Sequence, residues 1–248
     1  MKIAASLMLV STLVFPGSHS EKKFSGDIAA MVSVKDLLAE STAKLGYLEE
    51  KLSNQASYKE NRKKTIQAAG VMACLGQALS LHKEGSNSGI SGIALRETAL
   101  EFAKSKSFDE AKKAYGKLQT VLQGKSKVET APKREWKDLI DLHSLMKEVN
   151  TRNGRLRRVV RRSRKPETDS LHASTLAVLA LAIHDITHEV KNKADLPIWQ
   201  GYAVDLQKSM TELSAAIKKK DAASVKKIYL KATKSCRQCH EKFRKDED

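Results

Sequence analysis

The sequence predicts an all-α fold made of two four-helix up-and-down bundles in tandem. Its 248 residues contain few Gly (12), Pro (4) or aromatic residues (5%). Such a composition favours helices, because strands are rich in β-branched and aromatic residues. Apolar residues recur at helical spacing in eight segments. A polar stretch without this periodicity, 124–133, contains Pro132 and divides the chain into two halves of similar length.

Each half is predicted to contain four amphipathic helices. They are expected over 27–52, 57–82, 92–104 and 107–122 in the first half, and over 134–160, 170–191, 196–218 and 222–244 in the second. Helices joined by short connections favour antiparallel packing into a four-helix bundle. We therefore place one domain at 21–128 and a second at 129–248.

The two halves also resemble each other in sequence. Asp36-Leu37-Leu38 matches Asp138-Leu139-Ile140, and Lys112-Lys113-Ala114-Tyr115 matches Lys226-Lys227-Ile228-Tyr229. We interpret the halves as repeats of one unit. The alternative is that two amphipathic four-helix segments resemble each other through composition alone.

The first twenty residues are typical of a secretory signal peptide. Met1-Lys2 gives a short positive start, 3–15 is almost entirely apolar, and small Ser18 and Ser20 precede Glu21. We expect cleavage after residue 20 and an exported, periplasmic protein. The alternative is an uncleaved N-terminal anchor. No other segment approaches membrane length, so no integral membrane segment is expected after signal removal.

The strongest chemical signal is the run Cys236-Arg237-Gln238-Cys239-His240 near the C-terminus. C-x-x-C-H is typical of covalent haem c attachment, in which two thiols form thioethers and the adjacent His binds the iron. Two alternatives remain open. A thioredoxin-like CxxC requires a low thiol pKa, and a zinc site requires further ligands, for which His184 and His188 are the only such pair. The third cysteine, Cys74, is predicted to be a buried hydrophobic residue.

The surrounding residues resemble the cytochrome c′ / cytochrome c556 family, the class II c-type cytochromes. That family has C-x-x-C-H-x-x-[FY]-R on the last helix of a four-helix bundle, and Phe243 and Arg244 complete the pattern. The segment Ala194-Asp195-Leu196-Pro197-Ile198-Trp199 adds to the likeness, which covers about 135–244. It implies one iron-containing haem in the second half, with Arg244 either beside the haem or exposed to solvent.

The resemblance also implies that the sixth iron ligand, where there is one, comes from the first helix of the bundle. The run Leu142-His143-Ser144-Leu145-Met146-Lys147 places Met146 there. His143 is a weaker candidate, and an empty position is the third option. The corresponding residue of the first half is Lys44, so we expect the first half to be a haem-free copy.

Together these features predict one-electron transport by a monohaem cytochrome, because a Met/His pair favours electron transfer over gas binding. We do not expect an enzyme, since the sequence shows no Ser/His/Asp arrangement, phosphate loop or paired acids. Two other hypotheses remain. One is a five-coordinate haem that binds a diatomic gas such as nitric oxide. The other is a structural or docking module in which the haem is incidental.

The chain carries a formal charge of +16, and part of this excess lies in one arginine-rich run, 152–165. Such a run is suited to an acidic redox partner or an anionic membrane surface, and the alternative is a solvated loop. Nucleic acid is not expected, because no aromatic residues for base stacking are interleaved with the arginines. Bundles of the resembled family are often dimers, so the resemblance implies a homodimer; the alternative is that the same apolar face joins the two halves of the chain.

Overall fold

The computed structural model describes residues 26–126, 128 and 130–244, so the predicted signal peptide (1–20) lies outside the described residues. Over those ranges the chain is helical and contains no strand, which confirms the all-α prediction. The helices are α1 (Ile28–Met31), α2 (Val34–Lys51), α3 (Gln55–Leu81), α4 (Gly92–Ala103), α5 (Phe108–Leu122), α6 (Leu142–Arg161), α7 (Pro166–Asp185), α8 (Leu196–Lys218) and α9 (Ala222–Phe243). Short 3₁₀ helices lie at Gly85–Ser88, Trp136–Asp138 and Lys193–Asp195.

Helices α2–α5 form one four-helix bundle and α6–α9 form a second, as the sequence predicts. In the second bundle neighbouring helices run antiparallel. Trp199 at the start of α8 donates its indole N–H to the Ile183 carbonyl near the end of α7, over 2.7 Å. The same ring meets Phe243 at the end of α9, with 5.3 Å between centroids. The start of α6, the end of α7, the start of α8 and the end of α9 therefore share one end of this bundle, which we call the motif end.

Two helix boundaries of the second half differ from the sequence prediction. α6 begins at Leu142 and not at 134, because Asp141 caps it by accepting the Ser144 N–H over 2.8 Å. α7 spans 166–185 and not 170–191. Pro166 occupies its first turn, where the missing N–H costs nothing.

Helix α7 is enclosed by helices of both bundles. Every residue from 173 to 183 is buried, because α7 packs against α6 and α8 of its own bundle and also against α2 and α3. The two bundles consequently share one continuous hydrophobic core. Within the described ranges, no helix has both the length and the apolar character needed to cross a membrane.

A buried charge network joins the two halves of the chain. The Arg152 guanidinium of α6 binds the carboxylates of Glu40 in α2 and Glu148 in α6. Glu148 also accepts from Lys44 Nζ over 2.7 Å and from Gln67 Nε2 over 2.8 Å. Burial opposes the charge on Glu148, but the positive charges of Lys44 and Arg152 outweigh it and lower the pKa of Glu148 to about 2. The network therefore stays ionised and fixes α2 and α3 against α6.

The segment between the bundles is attached to the first one. Arg96 donates to the Pro132 carbonyl over 3.1 Å, and Ser91 Oγ donates to the Val128 carbonyl over 3.1 Å. Arg134 Nη2 lies 2.8 Å from Glu97 Oε2. The connection is thus held against α4 until the chain enters the second bundle.

Candidate functional site

The two motif cysteines continue the core-facing stripe of α9. Apolar residues recur along this helix at a spacing of three or four, so they share one face. The stripe consists of Val225, Tyr229, Ala232, Cys236, Cys239 and Phe243. The first three are buried, whereas Cys236, Cys239 and Phe243 are only partly buried. The stripe is therefore less deeply buried at the two thiols, close to the motif end.

His240 lies beside these thiols and is exposed. It follows Cys236 by four residues, so the two side chains project from the same side of α9. Its imidazole makes no hydrogen bond or ion pair with the residues that the structure describes. Both ring nitrogens are thus available to a ligand.

The thiols have the properties of neutral, half-buried groups and not of redox nucleophiles. Burial raises the pKa of Cys236, and burial together with the neighbouring Cys236 raises that of Cys239 to about 11. Both lie in the last turns of α9, where the helix dipole disfavours a thiolate. A thioredoxin-like CxxC needs a lowered thiol pKa, so that alternative loses its support.

The zinc alternative also lacks its ligands. His184 lies in α7, but α7 ends at Asp185 and His188 follows in an exposed turn, so the two do not share a helix face. Across residues 26–126, 128 and 130–244, no three His, Cys, Asp or Glu side chains are grouped to hold a metal ion. Cys74 is fully buried, as predicted, and burial raises its pKa far above the ordinary value.

One hydrogen bond sets the register between α6 and α9. The Tyr229 hydroxyl donates to Asn153 Oδ1 over 2.7 Å. Met146 precedes Asn153 by seven residues, and Cys236 follows Tyr229 by seven residues. Because the two helices are antiparallel, each step of about 10 Å runs toward the motif end. Met146 and Cys236 therefore lie at the same level of the bundle, and His240 lies one turn nearer the motif end.

The same bond indicates which side chain of α6 faces α9. At 3.6 residues per turn, a seven-residue step returns to within about 20° of the starting direction, so Met146 lies on the α9 side with Asn153. His143 precedes Asn153 by ten residues, so its side chain points about 80° away from the direction of Asn153, and it is exposed. Met146 is partly buried against the core. Of the two predicted candidates for the sixth ligand, Met146 is thus the one that faces the motif.

Aromatic residues hold the end of α9 against α8. The Phe243 ring meets Trp199 edge-on at 5.3 Å and Tyr202 at 6.4 Å between centroids. Lys242 Nζ lies 2.9 Å from Asp195 Oδ1. These contacts pack the residues that follow the cysteines, so the last turns of α9 are fixed in place.

Arg244 is exposed and ends α9. Its backbone N–H donates to the His240 carbonyl over 2.9 Å and closes the last helical turn. Its ψ of 112° turns the chain out of the helix after this residue. The structure places Arg244 next to the motif but shows no contact of its side chain with it.

The donor set of this site suits a covalently held haem. Two thiols lie three residues apart on one helix, an uncommitted imidazole follows directly, and the thioether-bearing Met146 lies on the α9 side of α6. The partly uncovered stripe offers apolar surface to a porphyrin. Cys236, Cys239, His240 and Met146 are therefore the residues that would hold the group.

The residues of the first half that align with the site either make other contacts or lack the side chains that would bind haem. Lys44, which aligns with Met146 in the repeat, binds Glu148 in the buried charge network. The segment aligned with the motif is Leu122-Gln123-Gly124-Lys125-Ser126, which has no cysteine or histidine.

The second bundle as a whole matches one known family model. Residues 141–244, which run from the N-cap of α6 to the end of α9, match the family model described as Cytochrome C'. This match covers less than half of the chain, and it agrees with the resemblance of the second half to the class II c-type cytochromes. The comparisons with curated proteins and with solved structures gave no significant match.

Sequence reasoning missed two residues that shape the site. It did not identify Asn153, whose pairing with Tyr229 joins two distant helices. It also counted Arg152 within the arginine-rich run, whereas the structure buries this residue in the charge network. The four-residue spacing of Glu148 and Arg152 on one helix was the available signal for the second.

Proposed function

We propose that the protein is an exported monohaem cytochrome that performs one-electron transfer, in which His240 and Met146 would ligate the iron. The observation that carries this proposal is the Tyr229–Asn153 hydrogen bond, because it sets Met146 level with Cys236 and facing α9. When bound, the haem iron supplies an Fe(III)/Fe(II) couple.

Each residue of the site has a defined task. The Cys236 and Cys239 thiols would hold the haem through two thioether bonds. His240 offers a ring nitrogen, and Met146 offers its thioether sulfur from the opposite helix. A Met/His pair raises the reduction potential and leaves no open position for a gas.

The exposed arginines of the second bundle lie far from the motif cysteines, which bears on where a redox partner protein approaches. The arginine-rich run begins to be exposed after Arg152 and continues past the end of α6. Arg158 follows Met146 by twelve residues, about 18 Å along the helix and away from the motif end. We therefore place the redox partner at the motif end, where Cys236, Cys239 and His240 are reachable, and not on the arginines.

The test is covalent haem content. A pyridine haemochrome assay on protein from a host that matures c-type cytochromes should find one covalent haem per chain, and the exported protein should begin at Glu21. The Cys236→Ala/Cys239→Ala variant should lose covalent haem, while Cys74→Ala, the matched cysteine control, should keep it. Wild-type protein without covalent haem would overturn the proposal.

A further inference from the structure

The end of the second bundle opposite the motif contains a basic cleft. It lies where α6 ends and α7 begins, and it has a volume of about 430 Å³. Its lining includes Arg155, Arg158, Arg161, Arg162, Arg164 and His172. We call this the arginine cleft. Its size falls in the range of small-molecule sites in proteins.

The guanidinium groups of the arginine cleft are uncommitted. None of its five arginine side chains makes an ion pair or hydrogen bond to any residue in the described ranges. Arg96, Arg134 and Arg152, by contrast, are each bound to acidic side chains. Like charges brought together without counter-charges repel one another, so an anion bound among these arginines would relieve that repulsion.

The local fold holds these arginines around a concave space. The carboxylate of Asp169, the acid in the lining, accepts from Ser163 Oγ (2.8 Å) and from the backbone N–H groups of Arg164 (3.0 Å) and Lys165 (3.1 Å). This ties the connection between α6 and α7 back onto the first turn of α7. Asp169 therefore shapes the cleft and pairs with none of its guanidinium groups.

His172 adds an unsatisfied polar atom to the same site. Its Nδ1 is buried and has no hydrogen-bond partner in the described part of the chain. Burial and then the charge of Arg152 lower the pKa of this imidazole, so it is neutral at neutral pH and can present one N–H. An unpaired buried polar atom is costly, and a ligand in the cleft is one way to satisfy it.

We propose that the arginine cleft binds a small oligophosphate anion. Guanidinium groups bind phosphate oxygens in pairs of parallel hydrogen bonds, and several of them converge here on one concave space. The concavity favours a compact ligand over a flat membrane surface. The lining has no Phe, Tyr or Trp side chain on which a nucleic-acid base would stack. This site is separate from the haem site and does not depend on it.

Isothermal titration calorimetry of the full-length holoprotein with tripolyphosphate tests the proposal. Binding should persist at about 150 mM salt, where contacts beyond about 8 Å are screened. Replacing two lining residues in Arg158→Gln/Arg162→Gln should weaken binding at least about tenfold, as expected for loss of charge-assisted hydrogen bonds. The matched control, Lys226→Gln/Lys227→Gln, removes the same charge from exposed positions of α9 and should change affinity less than about twofold.

Three results would overturn it. The first is equal weakening by the lysine control, which would indicate non-specific attraction by net charge. The second is no tripolyphosphate binding together with arginine-dependent binding to phosphatidylglycerol vesicles, which would indicate a membrane surface. The third is no tripolyphosphate binding together with arginine-dependent binding to single-stranded DNA, which would indicate a nucleic-acid surface. The haem absorption spectrum should be unchanged in both double variants, so failure here is distinct from failure of the electron-transfer proposal.

Discussion

The hydroxyl of Tyr229 in α9 donates to the side-chain oxygen of Asn153 in α6, with 2.7 Å between the two oxygens. Seven residues further toward the motif end on each helix lie Cys236 and Met146. The bond fixes both the relative height and the relative rotation of the helices. On this register Met146 lies on the α9 side of α6, level with the thiols.

Removing this hydroxyl should destabilise the second bundle. Tyr229 is only 8% exposed, so Tyr229→Phe leaves the Asn153 oxygen short of a donor in a partly buried position. We expect a loss of about 1 kcal/mol in the free energy of unfolding, measured by urea denaturation followed by circular dichroism. Tyr202→Phe, which removes a hydroxyl with no hydrogen bond to a described residue, is the control. Equal stability of wild type and Tyr229→Phe would show that the bond does not hold the register.

The buried charge network should be far more sensitive than a surface ion pair. Arg152→Met leaves the Glu40 and Glu148 carboxylates buried without their shared cation. We expect a loss of about 3 kcal/mol or more, because breaking a buried pair strands an uncompensated charge. Lys117→Met breaks an exposed pair with Glu101, in which each side chain is 47% exposed, and should cost less than about 1 kcal/mol. Thermal unfolding of both variants measures the contrast, and similar losses would contradict it.

The ion pair that attaches the inter-bundle connection to α4 should contribute less stability as the pH falls into the acid range. The hydrogen bond from Arg134, with further help from Arg96, outweighs burial and holds the pKa of Glu97 below its ordinary value of 4.5. A lowered folded-state pKa contributes stability above about pH 4.5 that is lost as the pH falls through the folded-state value. Glu97→Gln should therefore be less stable than wild type at pH 7, and the difference should shrink toward zero below that pKa.

Urea denaturation of wild type and Glu97→Gln between about pH 7 and pH 3 measures this dependence. Glu101→Gln, which removes a carboxylate of the same helix from an exposed pair, is the control and should give the smaller change at neutral pH. A difference between wild type and Glu97→Gln that stays constant across this range would contradict the assignment.

Two glycine substitutions should act with opposite sign. A Cβ atom at Gly76 in α3 would lie 2.5 Å from the Arg96 backbone nitrogen of α4, so Gly76→Ala forces the two helices apart. We expect a loss of about 1–3 kcal/mol, as for other overpacked sites. Nothing lies within 4 Å of the corresponding atom at Gly116 in α5, and Gly116→Ala should stabilise by about 0.4–1 kcal/mol. Chemical denaturation measures both, and a stabilised Gly76→Ala would contradict this packing.

Local sequence signals, such as a proline in the first turn, were enough to predict the bounds of two helices closely. α8 spans the predicted 196–218, with Pro197 in its first turn, and α9 differs from its prediction by one residue at the end. The start of α6 was harder, because Trp136, Leu139 and Ile140, in and after the short 3₁₀ helix, continue the helical period before the true start. The pentapeptide at 236–240 was recognisable because its chemistry depends on adjacent residues.

Contacts between distant segments were not predictable from one sequence. Glu40 and Arg152 lie 112 positions apart, and Asn153 and Tyr229 lie 76 apart. No periodicity or cap signal connects such residues; only the packed fold brings them together. For the same reason the sequence left the sixth ligand open between Met146, His143 and an empty position, whereas the α6–α9 register favours Met146.

The most direct test of Met146 ligation is the absorption spectrum of the reduced holoprotein. Wild type should be low-spin, since a Met/His pair leaves no open position at the iron. Met146→Ala should convert it to a high-spin spectrum and enable carbon monoxide binding, while His143→Ala, three residues away on the exposed side, should remain low-spin. A spectrum that Met146→Ala leaves unchanged would contradict the assignment of Met146 as the sixth ligand.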